Sequence, residues 1–275
     1  MKTMNLRGRW VLVTGASAGL GRAFATQLGR DYGANVVLVA RRAERLEELA
    51  RELRSQAGVQ AVVLAADLSN ADEVDRVILG AKEGRQLAAA VLNAGVTHFG
   101  PYSDLSWADF QTMLHTNVSA VVRMTNELIP HLEKEPQGGG ILIVSSMSGI
   151  TPVPFQTAYS ATKAFLVTFG VGMWHELRGR NVSITTYTPA GIRTEMTAGE
   201  KFGPLRGWLA GVDGVAKAGL LALTERRFLA IPGAENRLAD ALFRVLPRRF
   251  VTGRLAAVYR NALRTSPAKE VGKGV

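Results

Sequence analysis

The chain has no cysteine among its 275 residues. That excludes a disulfide framework, a thiol nucleophile and any zinc site built on thiolates. Its four histidines, His98, His115, His131 and His175, are too scattered for metal-ligand spacing, so no metal is expected. No apolar run approaches the roughly 18 residues of a membrane span, and no signal-type apolar stretch follows the short basic N-terminus. A cytoplasmic protein is the expectation from these absences. Acid is also in short supply: 33 Lys and Arg against 23 Asp and Glu leave a formal charge of +10. Such an excess suits an anionic ligand, an anionic membrane surface or nucleic acid.

What is present reads as an ordinary globular chain, 47% hydrophobic and 20% charged, long enough to bury a large core. Short apolar, β-branched runs at residues 10–14, 35–40, 60–65, 88–93, 141–145, 183–187 and 228–231 alternate with longer amphipathic stretches. The short runs predict strands buried on both faces, as a parallel sheet requires. Leu46, Leu49 and Leu53 recur at helical spacing and predict a helix over 43–56. This alternation predicts one doubly wound α/β domain with a seven-stranded parallel sheet. Beyond Pro232 come two amphipathic helices, near 235–246 and 248–263, parted at Pro247 and rich in arginine from Arg226 onward. The division expected is one α/β domain over 1–232 and a basic helical extension over 233–275 packed on it.

The first strand runs straight into Gly15, Gly19 and Gly21 and then a helix. Glycines at such a junction permit a tight turn and close approach of a pyrophosphate to the helix N-terminus. Leu20, within the same turn, counts with them as cofactor-binding. The second strand ends in Arg41 and Arg42, where an acidic residue would otherwise receive a ribose 2′-hydroxyl. Guanidinium groups suit a 2′-phosphate, so NADP(H) is predicted over NAD(H). After the third strand, Asp67 and Leu68 are placed at the adenine, with Asp67 either accepting from its amino group or capping a helix that begins near Ser69. Asn93, Ala94 and Gly95 close the fourth strand, where small residues let a cofactor ribose lie against the backbone.

Ser146 ends the fifth strand, and Tyr159 and Lys163 follow four residues apart, hence on one helix face. A phenol near pKa 10 is a poor proton donor at neutral pH, and a nearby ammonium is expected to lower it. Ser146 can donate a hydrogen bond to an oxygen on which charge develops.

With these motifs in this order, the chain resembles the short-chain dehydrogenase/reductase family from residue 8 to about 231. The resemblance implies a one-domain Rossmann-type fold in which Tyr159 is the acid–base residue and Ser146 positions the substrate oxygen. It implies that Lys163 tunes Tyr159 and binds the nicotinamide ribose. Asn117 would interrupt its helix and hold a water leading from Lys163 to solvent. After the sixth strand, Pro189, Gly191, Ile192 and Thr194 match the family's Pro-Gly turn, with the Ile192 backbone at the carboxamide and Thr194 at the phosphates. Ser17 and Arg41 would take the 2′-phosphate, with Arg42 as an addition. Many NADP-using relatives carry a basic residue where this chain has Ala18, so phosphate selection would rest mainly on the Arg41 side.

The activity implied is NADPH-dependent reduction of a lipophilic ketone or aldehyde, or the reverse oxidation. A 3-oxoacyl thioester reductase is the alternative, and a non-catalytic NADP-sensing binding protein is the alternative of another class. The substrate walls would be Met147, Val153 and Phe155 on one side, and Met196, Phe202 and Trp208 on a loop over 195–212 on the other. Arg193, Lys201 and Arg206 could face an acidic group of the substrate. The resemblance implies a homodimer or homotetramer. The apolar stripes of the basic extension would pack on the body or a second subunit, or touch a membrane surface peripherally. Nucleic acid is the weakest reading, because no aromatic-studded basic groove or known motif supports it.

Overall fold

The computed structural model describes residues 2–265. Seven strands, β1 (Trp10–Thr14), β2 (Asn35–Ala40), β3 (Ala61–Ala65), β4 (Leu87–Leu92), β5 (Gly139–Val144), β6 (Val182–Tyr187) and β7 (Leu229–Ala230), form one sheet. Their order is β3-β2-β1-β4-β5-β6-β7 and every pairing is parallel. The order reverses between β1 and β4, so a crevice opens beyond their C-terminal ends, where ligands bind in folds of this kind.

Alternation along the strands explains the two-sided core. Val11, Val13, Val36 and Leu38 face one layer with Phe24, Leu28, Leu46, Leu49, Leu220 and Leu223. Leu12, Val37 and Val39 face the other, with Val74, Ile78, Val121, Met124, Leu128 and Leu166. The first layer holds helices α1 (Gly19–Tyr32), α2 (Ala43–Glu52) and, further along the chain, α7 (Val212–Thr224). The second holds α3 (Ala71–Lys82), α4 (Trp107–Leu114), α5 (Ala120–Leu132) and α6 (Thr157–Glu176). Each fully buried Leu or Val contributes about 1.5–3 kcal/mol, so either face alone supplies a large apolar driving force.

Strand positions match the sequence reading to within two residues, but two helical expectations change. The helix over 43–56 stops at Glu52 and continues as a π-helical turn, Leu53–Ala57, closed by left-handed Gly58. The extra residue per turn still leaves Leu53 buried. The extension forms α8 (Ala234–Val245) and α9 (Arg248–Thr265), with residues 266–275 outside the described part. In α9, Val258 and Tyr259 pack on the cluster around Phe99 while Phe250 stays exposed. In α8 the sole buried residue is Asp240, which binds Arg244 at 3.0 Å, and Leu238, Leu242 and Val245 remain exposed. The chain enters α8 through Gly233 at φ +85°, and the helix meets the body on its Asp240 side.

Arg226 does not belong with the basic extension as a surface charge. Its guanidinium donates to the carbonyls of Lys2, Gln137, Gly138 and Gly139 and to Ser183 Oγ, tying the N-terminus to the start of β5.

Candidate active site

The glycine turn is a backbone necessity at two points. A Cβ on Gly21 would lie 2.1 Å from the Gly15 carbonyl oxygen, and Gly15 itself sits at φ +71°. Ala16 N–H donates to the Val39 carbonyl, which fixes the turn to the end of β2. Helix α1 then begins without a side-chain cap and without acid in its first turn, so its leading N–H groups point into the crevice for an anion. Thr194 stands opposite, with its Cβ 3.1 Å from where a Gly19 Cβ would be. Leu20 and Leu68 place their side chains in the core, so only their backbones face this groove.

Asn93 ties β4 to β1. Its backbone N–H donates to Thr14 Oγ1 at 2.9 Å and its side-chain amide to the Thr14 carbonyl at 3.0 Å, while Ala94 N–H shares Thr14 Oγ1. Asn93 thereby shapes the crevice wall, and Gly95 opens it. A Cβ on Gly95 would come within 3.2 Å of Asn117 Oδ1 and 3.5 Å of Lys163 Nζ.

At the end of β2, Arg42 is the arginine that reaches Ser17. Arg42 donates from Nε and Nη2 to Ser17 Oγ at 3.2 and 3.1 Å, and from Nη1 to Glu195 at 2.9 Å. Arg45, which the sequence reading did not single out, reaches the other Glu195 oxygen at 2.5 Å. These two arginines hold the Glu195 carboxyl below the usual carboxylate range. Arg41 is instead exposed, with Nη1 4.0 Å from Asp67. Successive residues leaving a strand diverge in direction, and here the second one turns toward Ser17.

Asp67 neither caps nor begins a helix. Asn70 caps α3 by accepting from Asp72 and Glu73 N–H groups, and Asp67 accepts from the backbone and hydroxyl of Ser69. Burial raises the Asp67 carboxyl, but the Ser69 bonds and the Arg41 charge outweigh it and leave the pKa below normal.

Helix α6 is locked in place around Tyr159 and Lys163. Ser145 Oγ donates to the Lys163 carbonyl at 2.7 Å, Val153 N–H donates to Ser160 Oγ, and Gly149 lies so close that a Cβ would meet the Lys163 carbonyl at 2.6 Å. Lys163 Nζ is buried, donates to the Val144 carbonyl at 2.9 Å and lies 5.7 Å from the Tyr159 ring centroid. Burial pushes the Lys163 ammonium down to about 8. Asn117 is fully buried in a π-helical turn, His115–Ser119, between α4 and α5. Its amide exchanges two bonds with the Val96 backbone and donates to Thr162 Oγ1, next to Lys163.

Ser146 Oγ accepts from Ser148 N–H at 3.2 Å and from Ser148 Oγ at 3.0 Å. Ser146 stands close enough to Tyr159 for its hydroxyl to favour the charged phenol and pull that pKa down. The expected lowering of the phenol pKa is not found in the ligand-free chain. Burial raises Tyr159 to about 12, opposed by the Ser146 bond and assisted by Tyr259. Charging a phenol in an apolar enclosure is costly, and that cost outweighs the favourable Ser146 contribution.

The substrate side gathers Phe99, Phe155, Phe202, Leu205, Val258 and Tyr259. Phe202 lies 4.8 Å and Tyr259 5.5 Å from Phe99, centroid to centroid. Val153 is buried and Met147 half-buried nearby in sequence, with Met147 N–H donating to the Pro189 carbonyl. Met196 and Trp208, expected as lining, are exposed instead, at 45% and 67%. The loop forms 3₁₀ turns, and α9 packs on its Phe202 and Leu205. Arg193 and Gly191 are engaged through their backbones with Ala210, which draws the two loop ends together. The side chain of Lys201 is outside the described part. Beside this cluster lies a cavity of about 330 Å³ edged by His98, Tyr102, Phe155 and Arg260. No local signal foretold Tyr259 or Glu195, since their partners are more than a hundred residues away in the chain.

Residues 9–202 match the family model described as short chain dehydrogenase. The chain is 35% identical over 192 residues to 17-beta-hydroxysteroid dehydrogenase type 3 of Mus musculus, covering 69% of this chain and 62% of that protein. It is 34% identical over 194 residues to very-long-chain 3-oxoacyl-CoA reductase-A of Danio rerio, covering 69% and 60%. The chain thus spans only about three fifths of the length of these relatives. A solved short-chain dehydrogenase from Sphingobium yanoikuyae in complex with NADPH is similar at a TM-score of 0.75 and 26% identity, over 95% of this chain and 97% of that one.

Proposed function

Because the chain belongs to the short-chain dehydrogenase/reductase family, we propose that it is an NADP(H)-dependent oxidoreductase reducing a lipophilic ketone or aldehyde, or oxidising the alcohol. The observation that carries this reading is Lys163 buried one turn beyond Tyr159 on α6, its Nζ 5.7 Å from the Tyr159 ring centroid, with Ser146 beside the phenol.

The residues present fit a phosphorylated dinucleotide. A Cβ-free cradle at Gly15 and Gly21 and the uncapped start of α1 suit a pyrophosphate. Ser17, Arg41 and Arg42 would hold a 2′-phosphate, Thr194 would close over the glycine turn, and Lys163 would meet the nicotinamide ribose. The NADPH bound to the similar Sphingobium enzyme supports this choice. Bound there, the cofactor supplies the hydride for reduction and takes it up in oxidation.

Tyr159, held near 12 by burial, stays protonated across neutral pH. It can therefore give its proton to a carbonyl oxygen as negative charge develops there. Ser146, its oxygen already accepting from Ser148, donates to that same oxygen and stabilises the charge. For oxidation the phenol must lose its proton, and the Lys163 ammonium provides the favourable field.

The Phe99, Phe155, Phe202, Leu205 and Tyr259 cluster supports a bulky apolar substrate. The relatives named for a hydroxysteroid and for very long acyl chains agree with that class. A second reading, a 3-oxoacyl thioester reductase, is supported by Arg260, which lies 5.8 Å from the Phe155 centroid at the cavity edge and suits a phosphate-bearing thioester. NADPH oxidation against a panel of steroid-like ketones, aldehydes and 3-oxoacyl thioesters tests the two readings. Turnover of none of them by a protein that binds NADPH would leave only the cofactor-sensing alternative.

Residues 233–265 are read as part of the same domain, since α9 covers the substrate side. The exposed Leu238, Leu242 and Val245, set among Arg237, Arg244, Arg248 and Arg249, support peripheral contact with an anionic bilayer. Among the described residues no helix is long and apolar enough to cross one. Exposed Trp107 and Leu114 on α4 and Phe165 on α6 support a homo-oligomer.

A further inference from the structure

Glu195 stands at the start of the loop that carries Phe202 and Leu205, and its carboxylate is paired with arginines of another element. It lies across the cofactor crevice against the N-terminal turn of α2, 2.9 Å from Arg42 Nη1 and 2.5 Å from Arg45 Nη1. Arg42 and Arg45 are the N-cap and the third residue of α2, where the helix dipole adds positive potential. Arg42 in turn holds Ser17 Oγ as an acceptor, which leaves the Ser17 proton to donate to an anion at the same corner. A side-chain carboxylate thus occupies the donors that suit a phosphate monoester.

We propose that Glu195 is a resident competitor for the 2′-phosphate subsite, and that Arg45 is a further donor of that subsite. The proposal rests on the NADP(H) reading above and names the residues that set how strictly phosphate is selected. A phosphate monoester carries about −1.5 to −2 charge at pH 7 and three acceptor oxygens, against one charge and two oxygens on Glu195. The phosphate therefore displaces the carboxylate, and a nucleotide lacking it leaves the Glu195 clasp closed. Displacement also frees the start of the loop, from the Thr194–Thr197 turn onward. Phe202 and Leu205 keep the far end of the loop on Phe99 and α9.

Calorimetric titration of the full-length protein with adenosine 2′,5′-bisphosphate and with 5′-AMP tests this without turnover. Glu195 is exposed, so Glu195→Gln keeps shape and fold and removes only the charge. Exposed ion pairs are weak, so the variant is expected to bind the bisphosphate about three- to tenfold more tightly, with 5′-AMP unchanged. Arg45→Gln is expected to weaken the bisphosphate by a similar factor, again sparing 5′-AMP. Unchanged or weaker bisphosphate binding by Glu195→Gln overturns the competition. If the wild-type protein prefers the bisphosphate while Glu195→Gln matches it, competition fails and the cofactor reading stands. If the wild-type protein has no preference but Glu195→Gln gains one, competition stands and the cofactor reading falls. Equal affinities for both nucleotides in both proteins overturn the two together.

Discussion

Tyr259, on the last described helix, stands edge-on to Phe99, with ring centroids 5.5 Å apart and planes at 76°. Phe202 of the loop lies 4.8 Å from Phe99, so α9 and the loop meet on a single ring. Helix α9 lies beyond residue 202, where the family match ends, yet it helps to enclose Tyr159. On the proposed function, the substrate chamber is closed by α9, laid over a candidate catalytic centre built within the matched region.

Tyr259→Ala tests that division of labour. Losing a partly buried aromatic wall is expected to raise KM for a bulky ketone about tenfold, roughly the effect of losing 1.4 kcal/mol of contact. The NADPH Kd should stay the same. Parallel changes in KM and NADPH affinity would mean that α9 supports the fold as a whole and not the chamber.

Burial of Lys163 makes a prediction about stability and pH. Its pKa is about 8 folded against 10.5 ordinarily, so between those values the unfolded chain binds more protons and stability rises with pH. Below pH 8 both states are charged and the folded state carries the whole penalty, on the order of 3 kcal/mol. Lys163→Met is thus expected to be more stable than wild type in urea at pH 7, with the advantage shrinking steadily toward pH 10.5. A difference independent of pH would remove buried ammonium as its cause.

Gly21→Ala should be severe despite adding one carbon. The new Cβ would meet the Gly15 carbonyl oxygen at 2.1 Å and Asn93 Nδ2 at 2.7 Å, and neither backbone nor pinned amide has room to withdraw. Destabilisation of about 1–3 kcal/mol and loss of nucleotide binding are expected. Wild-type affinity in calorimetry would show that the turn is looser than its geometry implies.

The exposed stripe of α8 is tested by sedimentation with vesicles of neutral lipid, with and without anionic lipid. Full-length protein should pellet with anionic vesicles, and a Leu238→Ser, Leu242→Ser double variant should remain in the supernatant. Those residues are exposed, so the variant keeps its core. Equal recovery of both proteins would leave the stripe to a protein partner, such as a second copy of the chain.

The strands and the Ser146, Tyr159 and Lys163 set were legible because each depends on local spacing: alternating burial, a strand end, one helical turn. Arg42 and not Arg41 at the Ser17 corner was not legible, since adjacent residues in a turn differ only in backbone direction. Glu195 and Tyr259 were hidden because their partners, Arg42 with Arg45 and Phe99, are joined to them only by the fold. What the stripe of α8 meets was not legible, because amphipathic spacing says that a helix has an apolar face, not what covers it. The Tyr159 pKa went the same way. Its lysine neighbour is written in the sequence, while the apolar enclosure that opposes it is tertiary.

The central claim is that Tyr159 delivers the proton, and Tyr159→Phe measures it most directly, because only the hydroxyl is lost. With any carbonyl substrate found in the panel, kcat is expected to fall about 10²–10⁴-fold, the usual share of a general acid, while calorimetry returns the wild-type NADPH affinity. Turnover within a fewfold of wild type, with cofactor still bound, would contradict the account.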